Sequence, residues 1–352
     1  MKKVLKVILW VLLAIVILAA ALIAWLSITE YKPAPVEQLS VTAAPGSQPI
    51  DTAQTLEILS WNIGYAGLGE GSEFFMDGGK DVKSADRATV EKYLSGIRDY
   101  IYSDLPDFVM LQEVDVNSTR TYGIDQAAYL AGFNSVHALN YACPFVPYPV
   151  PPMGKINSGL FTISQHEISS AERQSLPCPF SWPVRAANIK RCLLVSYIPI
   201  EGSDKQLVLV NLHLEAYDDG EGKIAQTNQL RDFISAEYEK GNYVIAGGDF
   251  NQTFPGSLDT YPILNPELWT PGVLDNSLLP EGWSFVYDVR VPTCRLLNQP
   301  YDPSDVEHTQ HYVIDGFIIS PNVELRNVES IDLGFENSDH NPVLMTVELN
   351  AG

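Results

Sequence analysis

Twenty-three consecutive uncharged residues, Val7 to Thr29, constrain this chain before anything else does. At about 1.5 Å per helical residue, such a run reaches across a hydrocarbon core of roughly 30 Å. A signal-peptide core is usually about 7–15 residues, so the length favours a retained anchor. Ala19-Ala20-Ala21 nonetheless resembles a cleavage site. Lys2, Lys3 and Lys6 precede the run. The positive-inside rule keeps them cytoplasmic and places the remaining chain outside, so a single-pass cell-membrane protein is expected, spanning at residues 7–29.

The 352 residues include 22 basic and 43 acidic ones, a net charge of −21. Beyond Lys6 the balance is 19 against 43, or −24. That acidity speaks against coating DNA through a broad basic face. It leaves room for an enzyme that meets a few phosphates through a metal ion. Hydrophobic residues at 46% supply a substantial core and exclude a wholly disordered chain. Cys143, Cys178, Cys192 and Cys294 allow three full disulfide pairings, one local bridge, or free buried thiols. The Cys-Pro pairs at 143–144 and 178–179 read as loops. No Cys-x-x-Cys occurs, which disfavours thiolate zinc sites.

Residues 1–29 read as a basic start and anchor, 30–55 as a Pro/Ala/Ser/Gly-rich tether, and 56–350 as one compact domain. Short apolar runs bounded by turn residues predict strands at Leu56–Trp61, Phe108–Leu111, Gly159–Ile163, Leu193–Ile198, Leu207–Leu214, Tyr243–Ala246, Val313–Ile319 and Val343–Leu349. Helical spacing predicts helices at Ala85–Ser103, Gln126–Ala131 and Ile224–Glu239. Many strands with few helices suggest two packed sheets flanked by helices.

The polar residues fall at the strand ends. Asn62 closes Ser60-Trp61-Asn62, and Glu113 follows Leu111-Gln112. His213 ends Asn211-Leu212-His213, and Asp249 and Asn251 lie in Gly248-Asp249-Phe250-Asn251. Asp315 sits in Ile314-Asp315-Gly316, and Asp339 and His340 in Ser338-Asp339-His340. Singly, each reads as a turn former, a solvated charge or a hydrogen-bonded histidine. Together they supply oxygen and imidazole groups but no lysine. Such a set suits a hard divalent cation and metal-assisted attack of water on a phosphoester.

In this order, WN, QE, NLH, GDFN, IDG and SDH resemble the endonuclease/exonuclease/phosphatase superfamily. Its members include deoxyribonuclease I, abasic-site endonucleases, bacterial sphingomyelinases and inositol polyphosphate phosphatases. The resemblance runs from about Leu56 to Leu349. It implies a four-layer α/β sandwich, with two facing mixed β-sheets flanked by helices and the site at the sheet ends. It also implies hydrolysis of a phosphodiester or phosphomonoester with Mg2+, or with Mn2+ or Ca2+ in its place.

By the same resemblance, Glu113 is the principal metal ligand with Asn62 beside it. Asp339 completes the metal site or structures its loop. Asp249 and Asn251 orient the nucleophilic water and a phosphate oxygen, pointing the same way from an extended turn that Gly247 and Gly248 tighten. His340 is the general base or a transition-state donor, and Asp315 fixes its other ring nitrogen. His213 donates to a non-bridging oxygen. Asn117, Arg120 and Asn157 are secondary substrate contacts, and Lys155, Arg185 and Arg191 are basic residues near expected loops.

Two insertions bear on the substrate: Gly64–Lys80, glycine-rich and acidic, and Tyr141–Ile156, rich in proline and aromatics. Neither has a basic cluster, whereas duplex DNA binding wants several Lys or Arg contacts. Tyr141, Phe145 and Tyr148 read as exposed rings able to stack on bases, dip into lipid or pack on proline. Nucleic acid, a phospholipid head group and a small phosphoester all remain open as substrates, and no protein partner is implied. The rival reading is a non-catalytic binding domain that keeps the fold.

Overall fold

The computed structural model describes residues 1–350 apart from 84, 219, 306 and 307. The apolar run forms α1 (Lys2–Ile28), followed by a short strand, β1 (Val36–Leu39). Next come β2 (Leu56–Asn62), α2 (Arg87–Ser103) and β3 (Phe108–Asp115), a parallel βαβ unit. The Asp86 side chain caps α2 by accepting from the Thr89 N–H at 2.8 Å. Val90, Tyr93, Leu94, Ile97 and Ile101 form the expected buried stripe of α2. The chain continues through α3 (Gln126–Leu130), β4 (Asn134–Val146), β5 (Gly154–Ser164), β6 (Ser170–Ser175) and β7 (Cys192–Pro199). A second parallel unit follows: β8 (Gln206–His213), α4 (Glu221–Glu239) and β9 (Tyr243–Asp249). Short elements, β10 (Gln252–Thr253), α5 (Ser257–Thr260), β11 (Gly272–Val273), β12 (Ser284–Val286), β13 (Cys294–Arg295) and β14 (His311–Tyr312), lead to the closing strands. These are β15 (Asp315–Ile319), β16 (Val323–Ser330) and β17 (Val343–Leu349).

Two mixed sheets face each other. One has seven strands in the order β1-β6-β7-β8-β9-β15-β12, the other six in the order β16-β17-β2-β3-β5-β4. Their facing sides share a core containing Ile58 and Met110 from one sheet and Leu194, Leu209 and Ile245 from the other. Leu230 and Ile234 of α4 cover the outer side of the seven-stranded sheet. Val90, Leu94 and Ile97 of α2 cover the outer side of the six-stranded one. The result is the expected four-layer α/β sandwich, and central strands buried on both faces explain the continuous apolar runs.

Two expectations are corrected. Residues 30–55 are not a free tether: Val36–Leu39 pairs antiparallel with β6, Thr42 bridges to Ser135, and Ile50 is fully buried in the central core. Cys143-Pro144 lies inside β4 rather than in a loop. The strand β4 is at a sheet edge, where proline's missing N–H is tolerated. Tyr141 is accordingly only partly exposed, its hydroxyl donating to the Ala187 carbonyl at 3.0 Å. All four cysteines are free thiols.

α1 is long and apolar enough to cross a membrane by length and composition, and no residue of its most apolar 18-residue window is buried. Its last turns meet the globular part. Leu26 packs with Cys143, Val146, Ile156 and Ala186. Trp182 Nε1 donates to Ser27 Oγ at 2.9 Å, and Glu30 pairs with Arg185 at 2.9 Å.

Asn211 joins the two sheets from within. Its Nδ2 donates to the Leu111 and Phe161 carbonyls at 3.1 and 3.2 Å, and its Oδ1 accepts from Gln112 Nε2 at 2.8 Å. Asn211→Ala should destabilise the fold by about 3 kcal/mol, since each buried group left unpaired costs about 1–3 kcal/mol. Urea unfolding of the detergent-solubilised chain checks this, and an unchanged midpoint would deny the amide its cross-sheet role.

Candidate active site

Strand alternation delivers the site. Leu209 of β8, Ile245 of β9 and Phe317 of β15 point into the inter-sheet core. On the same alternation, His213, Asp249 and Asp315 point inward from the ends of those strands. The register places Asp249 opposite both His213 and Asp315, so the three sit in one row. Asn62 continues the inward series of Leu56 and Ile58 from the facing sheet.

Glu113 needs a departure from regular strand. Leu111 and Val114 both face α2, and the β3–β5 register shifts between them. Glu113 is the extra residue of that bulge, with φ 58°. Without the bulge it would take the outward, helix-covered side; with it, the carboxylate reaches the cleft. Tyr65, Ala66 and Asn251 are also left-handed, with φ of 43°, 50° and 51°. Left-handed non-glycine backbone tends to gather at functional sites.

His340 is fixed from several sides. Its Nδ1 lies 2.8 Å from Asp315 Oδ2, and its carbonyl accepts from Trp61 Nε1 at 2.8 Å. Its backbone N–H donates to Ser338 Oγ at 3.2 Å, and that hydroxyl donates to the Asn62 carbonyl at 2.8 Å. Nε2 faces the cleft, 3.8 Å from Asp249 Oδ2. Burial works against a charged ring here, but the Asp315 carboxylate outweighs it and holds the His340 pKa well above its ordinary value. His213 behaves oppositely. Burial, with Arg191 and His340 nearby, holds it well below the ordinary value, so it is neutral. Its Nε2 lies 3.3 Å from the same Asp249 oxygen.

Burial and the neighbouring Asp315 push Asp249 upward, against the opposing pull of His340, the Asn251 N–H and the Asn62 amide. Asp339 is pushed up to about 7 by burial and by Glu113, despite His340 and Arg295. Two carboxylates held this high mark a cluster short of positive charge. A hard divalent cation with oxygen ligands would relieve it, so the donor set fits such an ion. Glu113 and Asp339 each offer it a carboxylate held by one long hydrogen bond, from Asn62 Nδ2 and Ser338 Oγ respectively, both at 3.4 Å. Asp249, Asp315 and His340 also bring their ligand atoms within 4.8 Å of one another. In that second set, however, Asp315 Oδ2 is engaged with the ring.

Asn62 acts as a donor. Its Oδ1 accepts from the Gly64 N–H at 3.0 Å, and its Nδ2 points at Asp249 and Glu113 at 3.0 and 3.4 Å. As placed, it clamps two carboxylates rather than presenting an oxygen to a metal. Asn251 does not sit in an extended turn: its N–H donates to Asp249 Oδ1 at 2.8 Å and its Nδ2 to the Leu214 carbonyl at 2.9 Å. Gly247 and Gly248 are strand residues, not a turn. A Cβ on Gly248, at φ 145°, would strike the Leu212 carbonyl, and one on Gly247 the Phe317 ring.

Of the secondary candidates, Arg120 lines the cleft, locked by Asp115 at 3.0 and 2.9 Å and stacked 3.6 Å over the Tyr65 ring centre. Asn117 is exposed in a left-handed turn, and Asn157 is held through its backbone by Val116 and Ser118. Neither lines the cleft, and Lys155 does not either. Arg191 does, donating to the His213 carbonyl at 3.4 Å. Tyr65, Asp77, Glu215 and Tyr217 also line it without having been singled out in the sequence. Tyr217 donates to Asp77 Oδ1 at 2.9 Å across the cleft wall. The glycine-rich insertion holding Tyr65 and Asp77 was the available signal, but no spacing marked the individual residues.

The cleft measures about 650 Å³. Residues 59–340 match the Endonuclease/Exonuclease/phosphatase family, and the chain belongs to that family. Its members hydrolyse phosphoester bonds, and this chain is an enzyme of that class. Comparison with curated proteins found no match. Among solved structures, an endonuclease/exonuclease/phosphatase from Beutenbergia cavernae is similar, with TM-score 0.57 and 18% identity over 85% of this chain and 72% of that one. A family protein from Leptotrichia buccalis gives 0.53 and 16%, over 84% of this chain and 100% of that one. ANGEL2, described as a 2′,3′-cyclic phosphatase in complex with adenosine-2′,3′-vanadate, gives 0.52 and 15%, over 90% and 99%. At these identities the likeness carries the fold.

The charge imbalance predicts that divalent cations stabilise the chain. At about 100 times its Kd, a cation bound only by the folded state adds about 2.7 kcal/mol. Thermal unfolding with Mg2+ or Mn2+ against EDTA measures this. Asp339→Asn should diminish the shift, and its absence in the unaltered chain would contradict a cation site.

Proposed function

We propose that this member of the endonuclease/exonuclease/phosphatase family cleaves a phosphodiester or phosphomonoester by attack of water, using Mg2+ held by Glu113 and Asp339. The observation that carries the reading is the placement of His340. Its Nδ1 is tied to Asp315 at 2.8 Å, and its Nε2 is aimed into a cleft beside Asp249 and Glu113. The vanadate adduct named for ANGEL2 supports phosphoester chemistry on this fold.

When bound, the cation supplies Lewis-acid polarisation of a phosphate oxygen and offsets the carboxylate charge. The protein groups divide the remaining work. His340, already protonated, donates from Nε2 to a non-bridging oxygen as charge builds there. That assigns it the donor role and leaves the base to Asp249, whose raised pKa suits accepting a proton from water. Asn251 holds Asp249 through its N–H, and Asn62 holds Asp249 and Glu113 through its amide. Neutral His213 lies 3.3 Å from the same Asp249 oxygen and would donate to a second phosphate oxygen once substrate is bound.

The same proposal takes α1 as an uncleaved single-pass anchor, with Lys2, Lys3 and Lys6 cytoplasmic and the catalytic domain outside. The exposed apolar stretch and the packing of its last turns onto the domain support this.

His340→Ala should lower kcat on bis(p-nitrophenyl) phosphate by about 10²–10⁴-fold, the usual worth of a positioned proton donor. Retention of near-normal turnover by the folded variant would remove His340 from the chemistry. Glu113→Gln should raise the Mg2+ concentration for half-maximal rate at least about tenfold, the scale seen even for groups one step from a metal. An unchanged metal titration would exclude Glu113 as a ligand. Alkaline carbonate should leave the chain in the membrane pellet, and a mature N-terminus after Ala21 would contradict the anchor.

A further inference from the structure

The cleft does not end at the carboxylates. Its far wall is built from Ile23 and Leu26 of α1, Tyr148 and Met153 between β4 and β5, and Phe180 and Val184 after β6. The last turns of the apolar helix are thus part of the same cavity as Glu113, Asp249 and His340. Around this end the surface is unusually apolar: Tyr148, Val150, Trp182 and Val184 are 67%, 89%, 61% and 58% exposed. Trp182 donates to Ser27 Oγ, so its ring stands beside the final turn of α1. An amphipathic indole at that level is what the bilayer–water boundary selects. With α1 in a membrane, as proposed above, the mouth of the cleft opens at the membrane surface.

We infer that the substrate is a phosphoester lipid drawn from the bilayer. Its phosphate would sit among Asp249, His213 and His340, with its apolar part along the wall that includes Ile23 and Leu26. The anchor helix is then a wall of the substrate site as well as a tether. This inference rests on the phosphoesterase reading and names its substrate class. Charge points the same way. Arg185 and Lys190 beside the mouth are both paired with Glu30, at 2.9 and 3.7 Å, and the chain carries a net −21. A polynucleotide needs a run of free cations along its backbone. An amphiphile with one phosphodiester needs only the polar end and an apolar wall. In the step itself, the water oxygen bonds to phosphorus and one ester P–O bond breaks. The water proton passes to Asp249 and ends, through solvent, on the leaving oxygen.

The test uses the full chain reconstituted in vesicles of phosphatidylcholine, phosphatidylethanolamine or phosphatidylglycerol with Mg2+ or Mn2+. The comparison substrates are the matching glycerophosphodiesters, bis(p-nitrophenyl) phosphate and plasmid DNA. At least one vesicle lipid should be cleaved, and its deacylated counterpart at least about tenfold more slowly, because remote apolar contacts are lost. Val184→Asp, an exposed position where folding is not at stake, should lower kcat/KM for that lipid at least about tenfold more than for bis(p-nitrophenyl) phosphate. Cleavage of DNA or bis(p-nitrophenyl) phosphate with no vesicle lipid cleaved would overturn the inference and leave the phosphoesterase reading standing. Equal rates on lipid and glycerophosphodiester, or a Val184→Asp effect alike on both substrates, would also overturn it. Silence on every substrate would defeat both.

Discussion

The 2.8 Å contact between Asp315 and His340 is the interaction on which the rest of the site depends. Asp315 opens a strand of the seven-stranded sheet, and His340 stands just before a strand of the six-stranded one. Their pairing closes the sandwich at the point where apolar inward positions give way to polar ones. It also drives the two imidazoles in opposite directions. The Asp315 carboxylate keeps His340 charged against the effect of burial, and that charge helps keep His213 neutral. One imidazole is left to donate, the other to stay uncharged, and Asp249 lies between them. Trp61 and Ser338 hold the His340 backbone on the side of the six-stranded sheet, and Asp315 holds its ring from the seven-stranded one.

The remaining carboxylates then exceed the local positive charge. Glu113 and Asp339 share the inner end of the cleft with Asp249, and carboxylates as buried as Asp249 and Asp339 call for a charge to balance them. The bulge that frees Glu113 from the face of α2 shows the backbone departing from regular geometry to bring a further anionic group in. In the proposed reading part of this chain's acidity serves a cation, which agrees with a site that does not grip long polyanions.

Much of this was legible in the sequence because its chemistry is local. The strands ending in Asn62, Glu113, His213 and Asp249 are apolar on both faces, so their runs stand out and their polar ends stand out further. Other features depend on pairing that no run reveals. Val36–Leu39 is a strand only because β6 lies beside it. Cys143-Pro144 reads as a loop, yet an edge strand accommodates it. Gly247-Gly248 reads as a turn, but the glycines are there for the close approach of Phe317 and the Leu212 carbonyl. Asn117 and Asn157 are near Glu113 along or across the chain without reaching the cleft, whereas Tyr65 and Tyr217 reach it from separate loops. The contribution of α1 to the cavity was equally hidden, since an anchor sequence reads the same whether or not its last turns line a site.

The most direct measurement is the position of a bound cation. In crystals of the full chain grown with Mn2+, an anomalous scattering peak is expected about 2.1 Å from carboxylate oxygens of Glu113 and Asp339, the distance of a small oxygen-bound divalent ion. A peak on Asp315 and His340 with none near Glu113, or no ordered peak in the cleft, would contradict it.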